Sequence, residues 1–330
     1  MSVAPKVSDF MNQLSKEMIE KKGVAESTST AYIRTLYILN DKTAFKTLAF
    51  LRNTEEILKK VATYAPSTQK SILAAIVSVL SLLVDKPTYK KVHKTYYEEM
   101  MGKVKKTEET SDKTEKQKEN WMDWKDISEL LGKMQAKMVE FSNKKMITPA
   151  EYEHLLQTVV LSLYVNVQPR RNQDYLNMKV VKKLKSDLPT DSNYFDVAGC
   201  RFIFNKYKTS KKYGMQTIEI PNTPEAPLMD ILQIYLKFHP LYKASKGKDV
   251  VPFLVLADGK PLTAVNAITR LLNKIFGKRV GSSMLRHIFL SDKYDIDEME
   301  ADALAMGHSV EEQRKYLRGG SEDCVEIPEL

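Results

Sequence analysis

Apolar residues along this chain recur mostly at helical spacing, with one stretch of two-residue alternation in the second half. Near the start, Ser27 to Thr30 offer N-caps, and Ile33, Leu36 and Tyr37 then fall on one helical face. The pattern predicts a helix over 45–51, another over 54–62 with Ile57, Leu58 and Val61 inward, and a strongly apolar one over 66–83 opened by Pro66 and Ser67. Residues 1–102 therefore read as an all-α domain of ordinary size. Over 103–119 the pattern lapses into six lysines and five acids, with Val104 as the one sizeable apolar residue. Such a stretch cannot bury a core and reads as a solvated linker or frayed helix end.

Helical spacing returns over 121–141 and 149–165, and the texture then changes near Tyr194. Alternation in Phe195, Val197, Phe202 and Phe204, and in Ile218 and Ile220 around Glu219, predicts short strands joined near Lys211 to Gly214. Helices are expected again over 228–238, 264–276, 283–294 and 298–306, with Gly307 as a break. The expected architecture is mainly α with a small β-sheet or hairpin: an all-α first domain, a charged linker over 103–119, and an α+β second domain over 120–330. There is no internal repeat and no glycine-rich phosphate loop.

Composition narrows the class of partner. At 330 residues the chain is long enough for two cores, and its 43% hydrophobic and 28% charged residues fit a folded globular protein. Lys and Arg outnumber Asp and Glu by 51 to 42, a formal charge of +9, which favours a polyanionic partner. Two distant cysteines, Cys200 and Cys324, form neither a disulfide framework nor a zinc motif, so a reducing compartment is expected. The first twenty residues carry Lys6, Asp9, Lys16, Glu17 and Glu20, which leaves no apolar signal-peptide core. The longest apolar run, 72–84, falls short of the roughly 20 residues a membrane helix needs. The expectation is an intracellular protein, in cytoplasm or nucleus, neither secreted nor membrane-inserted.

Five places along the second half carry chemistry. The first is Gln168-Pro-Arg-Arg-Asn-Gln-Asp-Tyr-Leu-Asn-Met178, an arginine after an apolar helix with an acid three residues on. The second is the basic Lys206-Tyr-Lys-Thr-Ser-Lys-Lys-Tyr-Gly214 ahead of Thr217-Ile-Glu-Ile-Pro221. The third is Ser283-Met-Leu-Arg-His-Ile-Phe289. The fourth and fifth lie in Leu304-Ala-Met-Gly-His-Ser-Val-Glu-Glu-Gln-Arg-Lys-Tyr316, where Tyr316 follows His308 by eight residues.

In this order these motifs resemble those of the tyrosine recombinases, the DNA breaking and rejoining enzymes that include phage integrases. The first box, Leu-Arg-x-x-Glu-Leu-x-x-Leu in that family, maps onto Arg171, Asp174 and Met178, with Arg170 where the family has an apolar residue. The family's hairpin lysine maps best onto Lys208, although Lys206, Lys211 and Lys212 lie close by. The second box, His-x-Leu-Arg-His-x-Phe, maps onto Arg286 and His287, with Ser283 in place of the first histidine. Leu-Gly-His-Ser followed by a tyrosine maps onto His308 and Tyr316.

The resemblance implies strand transesterification without metal, ATP or other cofactor. Tyr316 attacks phosphorus and forms a 3′-phosphotyrosyl link, while Arg171, Arg286 and His308 stabilise charge on the phosphate. Planar, permanently charged guanidinium groups suit that task. Lys208 protonates the departing 5′-oxygen, Asp174 and His287 support, and Ser283 stands as a possible replacement at the altered position. The residues offer no carboxylate cluster or Cys/His set for a metal. Ser27-Thr-Ser-Thr-Ala-Tyr-Ile-Arg-Thr-Leu36 resembles the first helix of the family's core-binding domain, so Arg34 and Lys70, like Lys206, Lys211 and Lys212, become candidate DNA contacts.

The implied partner is double-stranded DNA, bound by a homo-oligomer that is tetrameric on paired sites, as befits integration functions of mobile elements and viruses. The acidic segment from Leu317 to Leu330 is expected to pack on a neighbouring protomer. Two alternatives stay open: a type IB topoisomerase sharing the tyrosine chemistry, and a noncatalytic DNA-binding descendant of such an enzyme.

Overall fold

The computed structural model describes residues 8–108, 113–246, 248–293 and 302–307. The chain divides into two units, Met1–Thr110 and Ser111–Leu330.

Among its described residues the first unit is helical: α1 (Asp9–Lys22), α2 (Glu26–Leu39), α3 (Thr54–Ala62), α4 (Pro66–Leu80) and α5 (Pro87–Glu108). Ser8 caps α1 by accepting from the Met11 amide, and Gly23 closes it with φ 64°. The capping residues expected at Ser27 to Thr30 instead lie inside α2, whose N-cap is Ala25. Packing explains the difference: Ser29 is buried against α1, its hydroxyl 2.8 Å from that of Ser15 and donating to the Ser15 carbonyl.

The helix expected over 45–51 is a correction as well, for only a short 3₁₀ turn, Ala49–Arg52, forms there. Phe45, Leu48 and Leu51 are all buried at intervals of three, a spacing that suits tight three-residue turns better than a 3.6-residue helix. Leu36, Leu51, Leu73, Ile76, Val79 and Tyr96 form the heart of this core, and the Tyr96 hydroxyl donates to the Leu51 carbonyl at 2.9 Å. Helix α4 stops at Leu80, and turns with i→i+3 bonds carry the chain to Leu83.

The described parts of the charged stretch over 103–119, residues 103–108 and 113–119, are largely helical where a linker or frayed helix end was expected. Helix α5 continues to Glu108, and α6 (Glu115–Asn120) starts in a capping box made by Thr114 and Gln117. An ion pair from Lys103 to Glu99 one turn back shows how such charges favour helix when they alternate at i,i+4.

The second unit continues with α7 (Trp124–Ser142), α8 (Pro149–Val165), α9 (Asn172–Leu176), β1 (Met178–Val181), β2 (Asn193–Asp196), β3 (Arg201–Phe204), α10 (Ser210–Tyr213) and β4 (Gln216–Glu219). It closes with α11 (Leu228–Phe238), α12 (Pro240–Ser245), β5 (Val251–Pro252), α13 (Ala267–Phe276) and α14 (Ser282–Asp292), and residues 302–306 are also helical. The fold class is the one the pattern predicted, mainly α with a small sheet, but the hairpin has grown into a five-stranded mixed sheet of order β4-β3-β2-β1-β5. The β1–β2 pair is parallel and the other three pairs are antiparallel.

Helix α8 is the central post, buried from Leu155 to Tyr164 on nearly every side. Its polar interruptions cost little, because Thr158 and Ser162 donate their hydroxyls to the carbonyls of His154 and Thr158 one turn back. Against α8 and α9 lie the aromatic rings of Tyr175, Phe195, Phe202, Phe204 and Phe253, mostly edge to face or tilted at 5.4–6.2 Å. The far side of the sheet carries only a small cluster around Val181, Tyr194 and Ile203. One consequence is positional: the sheet fixes β3 and β4 so that their connector, 205–215, projects beside α9 and the 302–307 turn.

Candidate functional site

The site is assembled where the end of α8, the start of α9, the β3–β4 connector and α14 meet. Pro169 precedes the two arginines, and Arg171 serves as the N-cap residue of α9 in extended conformation (φ −75°, ψ 147°). Adjacent residues at a helix start diverge, and here one guanidinium is fully enclosed and the other is half-buried.

Arg170 is the inward one, with 0% exposure. Its Nε donates to Asp174 Oδ2 at 3.0 Å, and its Nη1 donates to Gln216 Oε1 at 2.9 Å and to the Ala305 carbonyl. The guanidinium lies over the rings of Phe204 and Tyr207, 4.0 and 5.0 Å from their centroids. Arg171 is half-buried, and its Nη1 is buried without a hydrogen-bond partner among the described residues.

Asp174 is the electrostatic focus. Burial pushes its carboxyl above the usual carboxylate range, opposed by the guanidiniums of Arg170, Arg171 and Arg286. Arg286 is 6% exposed on α14, so the arginines of the two boxes come within electrostatic reach of one carboxylate. Tyr164 of α8 is a further member: burial lifts its phenol well above 10, while Arg286 and a hydrogen bond with Ser282 act the other way. Its hydroxyl donates to Asn172 Oδ1 at 2.7 Å, and Asn172 Nδ2 donates to Thr269 Oγ1 at 2.9 Å, which ties α8, α9 and α13 together beneath the arginines.

The remaining sequence-derived residues fall around this centre. Lys208 is exposed on the β3–β4 connector between the buried Tyr207 and the half-buried Thr209. Lys206, Lys211 and Lys212 are exposed on the same connector, where α10 replaces the simple turn expected near Lys211 to Gly214. Thr209 Oγ1 donates to the Gly307 carbonyl, so the lysine's neighbour touches the last described residue. Gly307 has φ 70°, and a Cβ there would lie 2.8 Å from the Tyr207 ring. His308 and Tyr316 lie outside the described residues.

Ser283 is exposed in the first turn of α14, whereas its neighbour Ser282 is buried. His287 is half-buried on the same helix. Arg34 is exposed on α2, and Lys70 is half-buried in the first turns of α4; both belong to the first unit.

Sequence reading passed over Arg170, Tyr164, Asn172 and Gln216. The available signal was the i,i+4 spacing of Arg170 and Asp174, which competes with the i+3 spacing from Arg171. It also passed over an open, mainly basic cleft of about 700 Å³ where α6, the end of α13 and the start of α14 meet, lined by Lys116, Lys274, Lys278 and Arg279 with Glu119, Asn120, Asn273, Gly277 and Met284. Among the described residues no three or more His, Cys, Asp or Glu side chains gather as a metal site would require, and no helix is long and apolar enough to cross a membrane.

No protein-family model matches the chain, and no curated protein matches it by sequence. Among solved structures the chain is similar to the crystal structure of XerA recombinase, with 13% identity, 94% of each chain covered and a TM-score of 0.37.

Proposed function

We propose that this chain cuts and rejoins double-stranded DNA through a 3′-phosphotyrosyl intermediate, as a site-specific recombinase. The observation that carries the reading is that Arg171 at the start of α9 and Arg286 on α14, far apart in sequence, both act electrostatically on the buried carboxyl of Asp174, which Arg170 ion-pairs. Guanidiniums brought from separate helices into the field of one buried carboxyl suit a phosphate, whose charge they would share. Arg171 Nη1, buried without a partner among the described residues, is a donor that a phosphate oxygen would satisfy.

In the proposed reaction the Tyr316 oxygen attacks phosphorus, the bond to the 5′-oxygen breaks, and Lys208 gives that oxygen a proton. The guanidiniums of Arg171 and Arg286, with His308, hold the charge that builds on the nonbridging oxygens. Attack by a new 5′-hydroxyl reverses the steps, so the energy of the broken bond is kept in the tyrosyl ester. The phenol has an ordinary pKa of about 10, so it needs a local positive field or a base. The arginine pair supplies the field, and Ser283, exposed at the helix start, can hold the water that takes the phenol proton.

Lys206, Lys211 and Lys212 on the connector, the basic cleft beside α14, and Arg34 and Lys70 of the first unit are the proposed backbone contacts. Strand exchange between two sites calls for a homo-oligomer, and a tetramer on paired sites is the proposed assembly.

The test is a library of nicked duplexes of randomised sequence, in which cleavage near the nick releases a short strand and traps the covalent complex. An adduct that survives denaturation and chelator, and that is lost in Tyr316→Phe, is the expected result. Tight binding with no adduct on any duplex would favour the noncatalytic DNA-binding reading. An adduct that relaxes supercoils but never joins two duplexes would favour the topoisomerase.

A further inference from the structure

We propose that Arg170 is a positioning residue, a buried guanidinium that fastens the 302–307 turn to the lysine-bearing connector and so sets where the chain carrying His308 and Tyr316 begins. The proposal rests on the reading of function given above. A fully buried arginine is expensive to desolvate, and an apolar side chain would fill the same space at lower cost. What the charge gains is simultaneous contact with five separate segments. Its Nε meets Asp174 of α9, its Nη1 meets Gln216 of β4 and the Ala305 carbonyl, and its faces meet Phe204 of β3 and Tyr207 of the connector.

The contacts converge on the end of one short helix. Carbonyls in a last helical turn lack intrahelical partners and form the negative pole of the helix, so a cation and amide donors suit them. Donors from outside meet three of them: Gln216 Nε2 donates to the Leu304 carbonyl, which also accepts from the Gly307 amide, Arg170 donates to Ala305 and the Thr209 hydroxyl to Gly307. Gln216 is in turn oriented by Arg170, which holds its Oε1 and leaves its amide hydrogens for Leu304. Gly307 then passes so close to Tyr207 that a Cβ would not fit. The next residue in the chain is His308, and the residue before Thr209 is Lys208. One guanidinium therefore sets the register between the segment that leads to the nucleophile and the segment that bears the proposed acid.

Two variants test this. Arg170→Lys keeps a charge for Asp174 but offers neither a flat face nor a planar fork of donors. The variant Gln216→Leu removes the bridge between Arg170 and the Leu304 carbonyl, leaves Asp174 in place, and serves if the lysine variant does not fold. For a variant with folded circular dichroism, three readouts are compared with the parent: amide exchange over 302–307 and over α8, the affinity for a nicked duplex, and the single-turnover rate of adduct formation at saturating DNA.

The expected result is faster exchange confined to 302–307, unchanged affinity, and an adduct rate lower by about a hundredfold, as displacement of a reacting group by an ångström produces. Unchanged exchange over 302–307 overturns the proposal. So does faster exchange with a parental adduct rate, or loosening that spreads to α8 together with loss of affinity. If the parent forms no adduct, the functional reading fails by itself, and the exchange comparison alone then decides whether Arg170 is the fastening.

Discussion

Removing the carboxylate of Asp174 would leave Arg170 charged, buried and deprived of its ion-pair partner. Asp174→Ala is therefore expected to lower stability by about 3–5 kcal/mol, measurable as the shift in urea midpoint at constant slope. Arg171→Ala should behave oppositely. Its guanidinium is half-buried and leaves one donor unused, so the loss of stability should stay well below that of Asp174→Ala, while adduct formation falls about a hundredfold or more. At this scale Arg171, Asp174 and Arg286 were legible because motif spacing put the right residue types in order. Arg170 was not, since two adjacent arginines look alike in sequence and only the packing of Phe204 and Tyr207 decides which one turns inward.

Helices α3, α8 and α11 begin and end where periodicity predicts, because their apolar faces are long, and Asn53 and Thr148 cap the first two with their side chains. Strand β5 escaped because two residues are too few for alternation to register, and β1 because Met-Lys-Val-Val ends in two adjacent apolar residues instead of alternating. The turn between β2 and β3 offers a sharp test of the sheet that positions the connector. A Cβ on Gly199 would lie 2.4 Å from Asp196 Oδ2 and 2.8 Å from Arg201 Nε, inside the ion pair those two make. Gly199→Ala should cost about 1–3 kcal/mol in urea unfolding.

The corner between α11 and α12 gives a pH dependence. His239 Nδ1 accepts from the Tyr242 amide, and its Nε2 donates to the carbonyls of Pro252 and Phe253, an arrangement that fixes the neutral ring. Burial lowers its pKa below 6.5, outweighing the carbonyl bonds that raise it. The unfolded histidine takes up a proton near pH 6.5 and the folded one only at lower pH, so in that window the unfolded chain binds more protons. The stabilisation is complete above about pH 6.5 and is lost as pH falls through it toward the folded value. In urea titrations at pH 8 and pH 5.5, the advantage of the parent over His239→Asn should shrink at the lower pH; an equal advantage at both would count against the buried neutral ring.

For the molecule as a whole, the excess of nine positive charges is expected to appear as salt-sensitive DNA binding. Removing Lys206, Lys211 and Lys212 together should flatten the dependence of log affinity on log salt by about 0.9 for each DNA phosphate that is no longer neutralised. A two-unit division with a helical first part and a mainly helical second part was visible in the pattern, yet what brings the boxes together was not. Convergence of Arg171 and Arg286 depends on how α8, α9, α13 and α14 pack, and periodicity carries no information about that. The most direct measurement is to map the covalent bond. The trapped complex is digested with trypsin and nuclease, and the peptide that retains a nucleotide is sequenced by mass spectrometry. The expected peptide is the three residues from Tyr316 to Arg318 with the mass on the tyrosine, joined to a DNA 3′ end. A nucleotide on any other residue, or a link to a 5′ end, would contradict the account.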